Sequence, residues 1–190
     1  MTRYSELVDA AVQDNNHYYN YQDRCREFAL KLTNGFFDFL GISREKDDPV
    51  TFYPPNEEFD PNEHKPRRYN VFGGMDLQDE GVWMINFVLW LAKDLGTSRT
   101  VAGFVGVRWF IRDGGSGFKV WHGFDGKEYT ISHEEEKQGS DLQAFYQHVF
   151  DELKDILANR FNNVLKGRES VMGFAIPPDR DETARGEGSS

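Results

Sequence analysis

The residues whose types and spacing are best suited to chemistry are His122, Asp125, Glu128 and His133, which surround one predicted hairpin. Histidine is the side chain that titrates nearest to neutral pH, and a neighbouring carboxylate raises its pKa and orients its ring. If His122 and Glu128 are cross-strand neighbours, they form a general base or part of a metal site, and they are the two candidate catalytic residues. The competing interpretation is a solvated hairpin edge, because the spacing fixes neither a nucleophile nor a third ligand.

A second candidate site is a recognition surface of arginine and aromatic side chains. Arg108, Phe110 and Arg112 alternate along one predicted strand, and Trp109 and Trp121 are near them in sequence. Arginine and tryptophan are enriched at the energetic centres of protein interfaces. The competing interpretation is cation–π packing at a sheet edge. The candidate binding residues are therefore Arg108, Trp109, Phe110, Arg112 and Trp121.

A third group consists of acidic residues between two predicted strands. Asp76, Asp79 and Glu80 could hold a divalent cation, with Lys93 or Lys119 as a charge partner. Nothing in their spacing requires a metal, and the acidic chain disfavours a nuclease groove.

Known catalytic and cofactor motifs are missing from the sequence. It contains no phosphate-binding loop, no dinucleotide-binding glycine motif, no nucleophile elbow, no zinc-protease histidine pair and no paired cysteines. His148 lies near Asp151 and Glu152 at helical spacings, which is typical of an exposed helix face with local charge pairing. We predict neither a cofactor nor a metal site.

The charge of the chain favours some partners over others. It has 32 acidic residues against 22 lysines and arginines, a formal net charge of -10. This charge disfavours broad contact with nucleic-acid phosphates and favours a basic partner, although solubility alone also accounts for it. The one cysteine, Cys25, cannot form an intramolecular disulfide, which is typical of a reducing, cytoplasmic setting. We expect no membrane span and no signal peptide, since no apolar run reaches about 18 residues and Met1–Asp9 is polar.

Three predicted antiparallel strands position the candidate residues. Val101–Arg112 alternates with the period of a strand, and the three glycines of Asp113–Gly117 predict a reversal. Phe118–Gly123 is the second predicted strand. Asp125-Gly126 is typical of a type I′ hairpin turn, after which Glu128–Ser132 is the third strand.

Other strands are predicted on both sides of this region. Val82–Leu91 is apolar on both faces except at Asn86, which indicates a central strand, with a buried helix as the alternative. Shorter strands are predicted at Val50–Tyr53, Arg68–Met75 and Val171–Ile176.

Apolar residues at spacings of three and four predict helices in the N-terminal region. Tyr4–Val12 forms a short helix that Asp14–His17 interrupts, because these residues favour caps and turns. A stronger helix covers Gln22–Leu40, and Gly41 is placed to end it.

The C-terminal region predicts one long helix. His133–Gly139 is an acidic loop, Ser140 is the N-cap, and Asp141–Leu165 carries an apolar stripe that should lie on the sheet.

These elements predict an α+β fold, in which an antiparallel, meander-like sheet of about five strands is covered by an N-terminal helix and a long C-terminal helix. Residues 1–176 form one domain, and residues 177–190 form a disordered acidic tail. The function expected is that of a non-catalytic acidic binding protein acting on a protein partner, as an inhibitor, immunity protein, chaperone or adaptor. The alternative is a small-ligand-binding or hydrolytic domain with a pocket between the sheet and the long helix. A homo-oligomer is compatible with either function.

Overall fold

The protein is a sheet with two helices on one face. The computed structural model describes residues 2–42, 49–60, 69–94, 99–159 and 172–173, with the backbone alone at 92–94, 99–102 and 172–173. Within those ranges, neither helix combines the length and apolar character needed to cross a bilayer. The helices are α1 (Arg3–Phe39) and α2 (Glu135–Ala158), and the strands are β1 (Val50–Phe52), β2 (Met75–Leu77), β3 (Trp83–Asp94), β4 (Arg99–Asp113), β5 (Gly117–His122), β6 (Glu128–Ser132) and β7 (Met172–Gly173).

All strand pairs of the sheet are antiparallel. The main order is β1-β3-β4-β5-β6, while β2 also pairs with β3 and β7 also pairs with β4. Strands β3 to β6 follow one another as a meander. This arrangement, with one helix before the sheet and one after it, confirms the predicted α+β fold.

The segment 82–91 is a strand, as predicted, and it is central. Strand β3 pairs with β1 and β2 on one side and with β4 along its length on the other. Both of its faces are covered there, since Phe87 on the helix-facing side and Val88 on the opposite side are fully buried. This double burial explains why the sequence shows no polar–apolar alternation.

The core between the sheet and the helices is built around Trp109. This indole is fully buried on β4. Its ring centroid lies 5.2 Å from that of Phe36 on α1, 5.5 Å from that of Phe145 on α2 and 5.0 Å from that of Phe87 on β3, each in an edge-to-face arrangement. Such aromatic pairs add about 0.5–1.5 kcal/mol each beyond the burial of apolar area. The two helices and the sheet are therefore tied together through one side chain.

Helix α1 is one continuous helix of 37 residues, so the predicted interruption at Asp14–His17 is wrong. Asp, Asn and His have modest helix propensities, each costing less than about 1 kcal/mol relative to alanine. None of them blocks the backbone as proline does, and good helix formers lie on both sides. The predicted C-terminus is confirmed: Gly41 has φ +70°, its N–H bonds Asp38 O at 3.0 Å, and Ile42 N–H bonds Phe37 O at 2.9 Å. This is a Schellman motif.

The predicted strand at Arg68–Met75 is wrong within the described residues. Tyr69 forms a single bridge to Phe52, and Val71–Gly74 is a 3₁₀ turn. The side chain of Asn70 accepts a hydrogen bond from Gly73 N at 3.1 Å and so caps that turn. The strand in this region is β2, which begins where the prediction ended.

Helix α2 begins at Glu135 rather than at Asp141, so most of the predicted acidic loop is helical. Carboxylates in the first turn interact favourably with the helix dipole, and Glu135 and Glu136 occupy that turn. Ser140 is inside the helix, where its Oγ donates to Lys137 O at 2.8 Å, and is not the N-cap. The described helix ends at Ala158, and the rest of the predicted helix lies outside the described residues.

The β5–β6 connection is not a two-residue type I′ turn. That turn needs positive φ at both central residues, whereas Gly126 has φ +69° and Asp125 is not among the residues with positive φ. The reversal instead takes residues 123–127, with Gly126 N–H bonded to His122 O at 3.2 Å. Strand β6 itself has the predicted bounds. The predicted strand at Val171–Ile176 is described only as β7, and the predicted tail at 177–190 lies outside the described residues.

Candidate functional site

The sheet face opposite the two helices, here called the outer face, carries four of the five candidate binding residues. Arg108, Phe110 and Arg112 alternate with the buried side of β4, and Trp121 lies opposite Phe110 on β5. The rings of Phe110 and Trp121 are stacked, with centroids 5.3 Å apart and planes 13° apart. Both rings are half-buried, so the pair presents an apolar surface to solvent.

The arginines of the outer face differ in their contacts. Arg108 is exposed, and its Nε donates to Asn86 Oδ1 at 3.1 Å. Arg112 has neither a hydrogen bond nor an ion pair from its side chain within the described ranges. Phe59, from the segment after β1, lies against Trp90 and Phe104 and covers the other end of this face. The open part is therefore the end that carries Arg112, Phe110 and Trp121.

Trp109 does not belong to this surface. Its side chain is fully buried between the sheet and the helices, on the other side of β4 from the remaining candidate binding residues. The sequence contains the reason, because strand alternation places residue 109 opposite to 108 and 110.

The candidate catalytic pair is not formed. In the register of β5 and β6, Glu128 lies opposite Trp121, while His122 lies opposite Trp109 of β4. The offset of one residue places His122 on the helix-facing side and Glu128 on the outer face. Glu128 is exposed and accepts a 2.6 Å hydrogen bond from Lys119 Nζ. The two residues therefore do not share a site of the kind that the hydrolytic alternative would use.

His122 is instead fully buried beside the β5–β6 connection. Burial lowers the pKa of its imidazole to about 4, with the charge of Asp125 acting to raise it and that of His148 to lower it. The ring is therefore neutral at neutral pH. Its Nδ1 accepts a hydrogen bond from Phe124 N at 3.4 Å, and its Nε2 has no partner among the described residues.

Three ligand-type side chains converge next to His122. One ligand atom from each of Asp125, His148 and Glu152 lies within 4.8 Å of the others. His148 Nε2 and Asp125 Oδ2 are 2.9 Å apart. Burial raises the pKa of Asp125, but the Lys127 N–H and His148 outweigh it and hold the pKa below its usual value. Within the described ranges, this is the one group of three or more histidine, cysteine, aspartate or glutamate side chains close enough together to hold a metal ion.

Local structure explains how these residues meet. Asp125 is held in the β5–β6 connection because its Oδ1 accepts from Lys127 N at 3.0 Å. His148 and Glu152 are one turn apart on α2 and therefore share one face. The ring centroid of His148 lies 5.4 Å from that of Tyr129 on β6. This contact packs the middle of α2 against the β5–β6 hairpin. The sequence shows the His148–Glu152 spacing, but the partnership with Asp125 depends on how α2 packs.

His133, the remaining member of the sequence constellation, belongs to a different cluster. Its Nε2 is 3.3 Å from Asp113 Oδ1, while Arg24 Nε donates to Asp113 Oδ2 at 2.8 Å. These contacts join α1, the end of β4 and the connection between β6 and α2. An open cleft of about 260 Å³ lies alongside, away from His122 and Glu128, and is lined by Arg24, Glu27, Phe28, Lys31, Phe118, His133 and Gln138.

The acidic group after β2 does not converge. Asp76 bonds the neighbouring Gln78 side chain at 3.1 Å, and Asp79 and Glu80 are exposed in a 3₁₀ turn. Lys119 is paired with Glu128 on the outer face. The arrangement gives no support to a metal-nuclease site.

The first part of α1, residues 3–20, is here called the arm. Every side chain from 6 to 20 is exposed. The arm holds six of the nine large hydrophobic side chains that are exposed in the described ranges, and these six are between 42% and 76% exposed: Tyr4, Leu7, Val8, Val12, Tyr18 and Tyr19. The sequence indicated the apolar face but not that nothing in the described chain covers it.

Comparison with protein-family models, with curated proteins and with solved structures gives no match for this chain.

Proposed function

We propose that the protein is a non-catalytic binding protein that acts on a protein partner, as an inhibitor, immunity protein, chaperone or adaptor, and that the arm is its main contact. The observation that supports this proposal is the apolar stripe along one side of the arm, which consists of Tyr4, Leu7, Val8, Val12 and Tyr18, each between 42% and 76% exposed. Large exposed apolar patches on a monomer mark interaction surfaces more often than isolated exposed side chains do.

The arm is a helix whose apolar side is exposed, as in helices that bind in an apolar groove of a partner. Its stripe continues, on the same side of α1, into Cys25, Phe28 and Leu32, which are buried on the sheet. Most of the stability of a helix in a protein comes from tertiary packing of its apolar face rather than from helix propensity. Burying one leucine or valine side chain contributes about 1.5–3 kcal/mol. A partner that covers the stripe therefore stabilises both the complex and the arm, in the helix-in-groove mode.

Charge selects the kind of partner. The arm carries Glu6, Asp9 and Asp14 against Arg3, and the whole chain has a formal net charge of -10. Two copies of such a chain repel each other, whereas a basic protein is attracted and steered to the arm. The occupant that fits the arm is therefore an apolar groove on a basic protein partner.

We expect the outer face to be a second surface that contacts the same protein partner. Its stacked pair, Phe110 and Trp121, is flanked by Arg112, whose charge is unpaired within the described ranges. An acidic region of the same partner would complement this end of the sheet.

The first experiment places a photoreactive benzoylphenylalanine at Leu7, in the stripe, or at Gln13, on the opposite side of the arm. The full chain is irradiated in its own cells, and the adduct is identified by mass. We expect one adduct from position 7 and none from position 13, with a partner that carries a net positive charge.

The purified partner is then titrated with Leu7→Glu and with its matched control Gln13→Glu. We expect Leu7→Glu to weaken binding by about tenfold or more, since it places a charge in an apolar contact, and Gln13→Glu to leave it unchanged. Equal adducts from both positions, an adduct of two copies of this chain, or no adduct at position 7 would each overturn the proposal. Trp121→Ala, compared with Thr130→Ala on the same face, tests the outer face separately.

A further inference from the structure

We propose that Asp125, His148 and Glu152 bind a divalent cation of the zinc class, with the buried His122 next to the ion. This site is separate from the arm and from the outer face, and the inference does not depend on the proposed protein-binding function.

The geometry of the three side chains is close to that of a metal site. Their ligand atoms lie within 4.8 Å of one another. Atoms that bind one Zn²⁺ tetrahedrally at about 2.0–2.2 Å are about 3.3–3.6 Å apart, so rotations of the side chains would have to draw the three atoms together by about 1 Å. Asp125 is fixed by its bond to Lys127 N, and His148 and Glu152 are fixed to one face of α2.

The charges of the cluster also favour a cation. His148 can supply one hydrogen bond to Asp125, and the Glu152 carboxylate has neither a hydrogen bond nor an ion pair within the described ranges. Two carboxylates at this distance repel each other, and a divalent cation neutralises both.

His122 provides the independent observation. It is fully buried, and because Nδ1 accepts from Phe124 N, the proton of the neutral ring is on Nε2. That N–H has no acceptor among the described residues, although an unsatisfied buried donor costs about 1–3 kcal/mol. The Gly126 N–H bonds His122 O at 3.2 Å, so the connection that carries Asp125 folds back on His122. A water held by the cation would accept from Nε2–H and remove this cost.

The donor set indicates the class of metal. One imidazole and two carboxylates suit Zn²⁺ and similar transition metals, whereas Mg²⁺ and Ca²⁺ prefer oxygen ligands alone. Three protein ligands leave a fourth position for water.

The test uses the full chain, stripped with a chelator and titrated with ZnCl₂ by calorimetry, with thermal unfolding as a second readout. We expect one equivalent of Zn²⁺ to bind, and an excess of Mg²⁺ not to displace it. Binding of Zn²⁺ should raise the unfolding temperature.

Matched variants locate the site. His148→Gln and Glu152→Gln should each weaken Zn²⁺ binding by about tenfold or more, whereas His17→Gln on the arm and Glu136→Gln in the first turn of α2 should leave it unchanged. Circular dichroism of each variant is used to check that it is folded, and Glu152→Gln replaces a partly exposed side chain, which should not disturb folding. The proposal is overturned if the wild-type chain binds no Zn²⁺, if Mg²⁺ displaces it, or if Glu152→Gln and His148→Gln bind it as tightly as their controls do.

Discussion

Asp113 shows how a single carboxylate can join three parts of this chain. Its side chain is 4% exposed and accepts from Arg24 Nε at 2.8 Å and from Gly115 N at 2.9 Å. Burial alone would raise the pKa of this carboxyl, but the Gly115 N–H, Arg24 and His133 together lower it below its ordinary value of 3.8. The ionised form is therefore favoured by folding.

The first prediction concerns Asp113→Asn. Because the folded-state pKa is depressed, the contribution of Asp113 is fully present above pH 3.8 and is lost as pH falls through the folded-state pKa. We expect the variant to lose about 1–3 kcal/mol of unfolding free energy at pH 7, and the difference from wild type to shrink below pH 3.8. Urea unfolding at a series of pH values measures both effects.

The control for this prediction is Glu128→Gln, which removes an exposed partner of Lys119. Exposed ion pairs contribute about 0–1 kcal/mol, so this variant should change little. A deficit of Asp113→Asn that stays constant from pH 7 to the acid limit would show that the charge of Asp113 is not what stabilises the fold.

At the scale of elements, α1 and α2 meet where a glycine gives room to a tyrosine. The Tyr146 hydroxyl donates to Leu32 O at 3.0 Å, and a Cβ added at Gly35 would lie 2.5 Å from the same hydroxyl oxygen. Tyr146 is 2% exposed. The helix crossing therefore depends on the missing side chain.

The second prediction compares two glycines in helices. Gly35→Ala should lower the unfolding free energy by about 1 kcal/mol or more, since the overlap with Tyr146 outweighs the better helix propensity of alanine. Gly139→Ala in α2 meets no atom within 4 Å and should raise it by about 0.5–1 kcal/mol. Thermal unfolding of both variants gives the two signs, and stabilisation by Gly35→Ala would contradict the described crossing.

The strands were easier to predict than the helix boundaries. The alternation in β4, the bounds of β6 and the capping glycine at 41 are local properties of the sequence, and the structure confirms all three predictions. The sequence predicts a break at Asp14–His17 because those residues have modest helix propensities, but propensity is overridden where no residue blocks the backbone. It predicts a loop at His133–Gly139 because that run is acidic, although glutamate, lysine and glutamine are good helix formers. The site around Asp125, His148 and Glu152 could not be assembled from sequence, because its members come from two elements whose contact is set by packing.

At the scale of the whole molecule, the chain divides into a body in which helices cover a sheet and an arm that leaves it. The six large exposed apolar side chains of the arm contrast with Phe28, Leu32 and Phe36 farther along the same helix, each of which is at most 4% exposed. Stability should therefore be distributed unevenly along one continuous element.

The third prediction is that hydrogen exchange will divide α1 in two. Amides at 6–20 should exchange with an opening free energy of about 0–1 kcal/mol, because every side chain there is exposed within the described part of the chain, whereas amides at 28–37 should approach the global unfolding value. Mass-spectrometric exchange of the free, full chain measures both regions. Equal protection along α1 in a monomeric sample would mean that the arm is covered by part of its own chain.

The position of Cys25 allows the opening of α1 between the arm and the body to be measured by thiol labelling. It is the only thiol in the chain, it lies one turn after Tyr21, whose hydroxyl donates to Gly81 O, and it is fully buried there. Burial also raises the pKa of its thiol, which lowers the fraction of reactive thiolate. A thiol reagent can therefore react with Cys25 only after the base of the arm separates from the sheet. The rate of labelling then measures the rate at which this part of α1 opens.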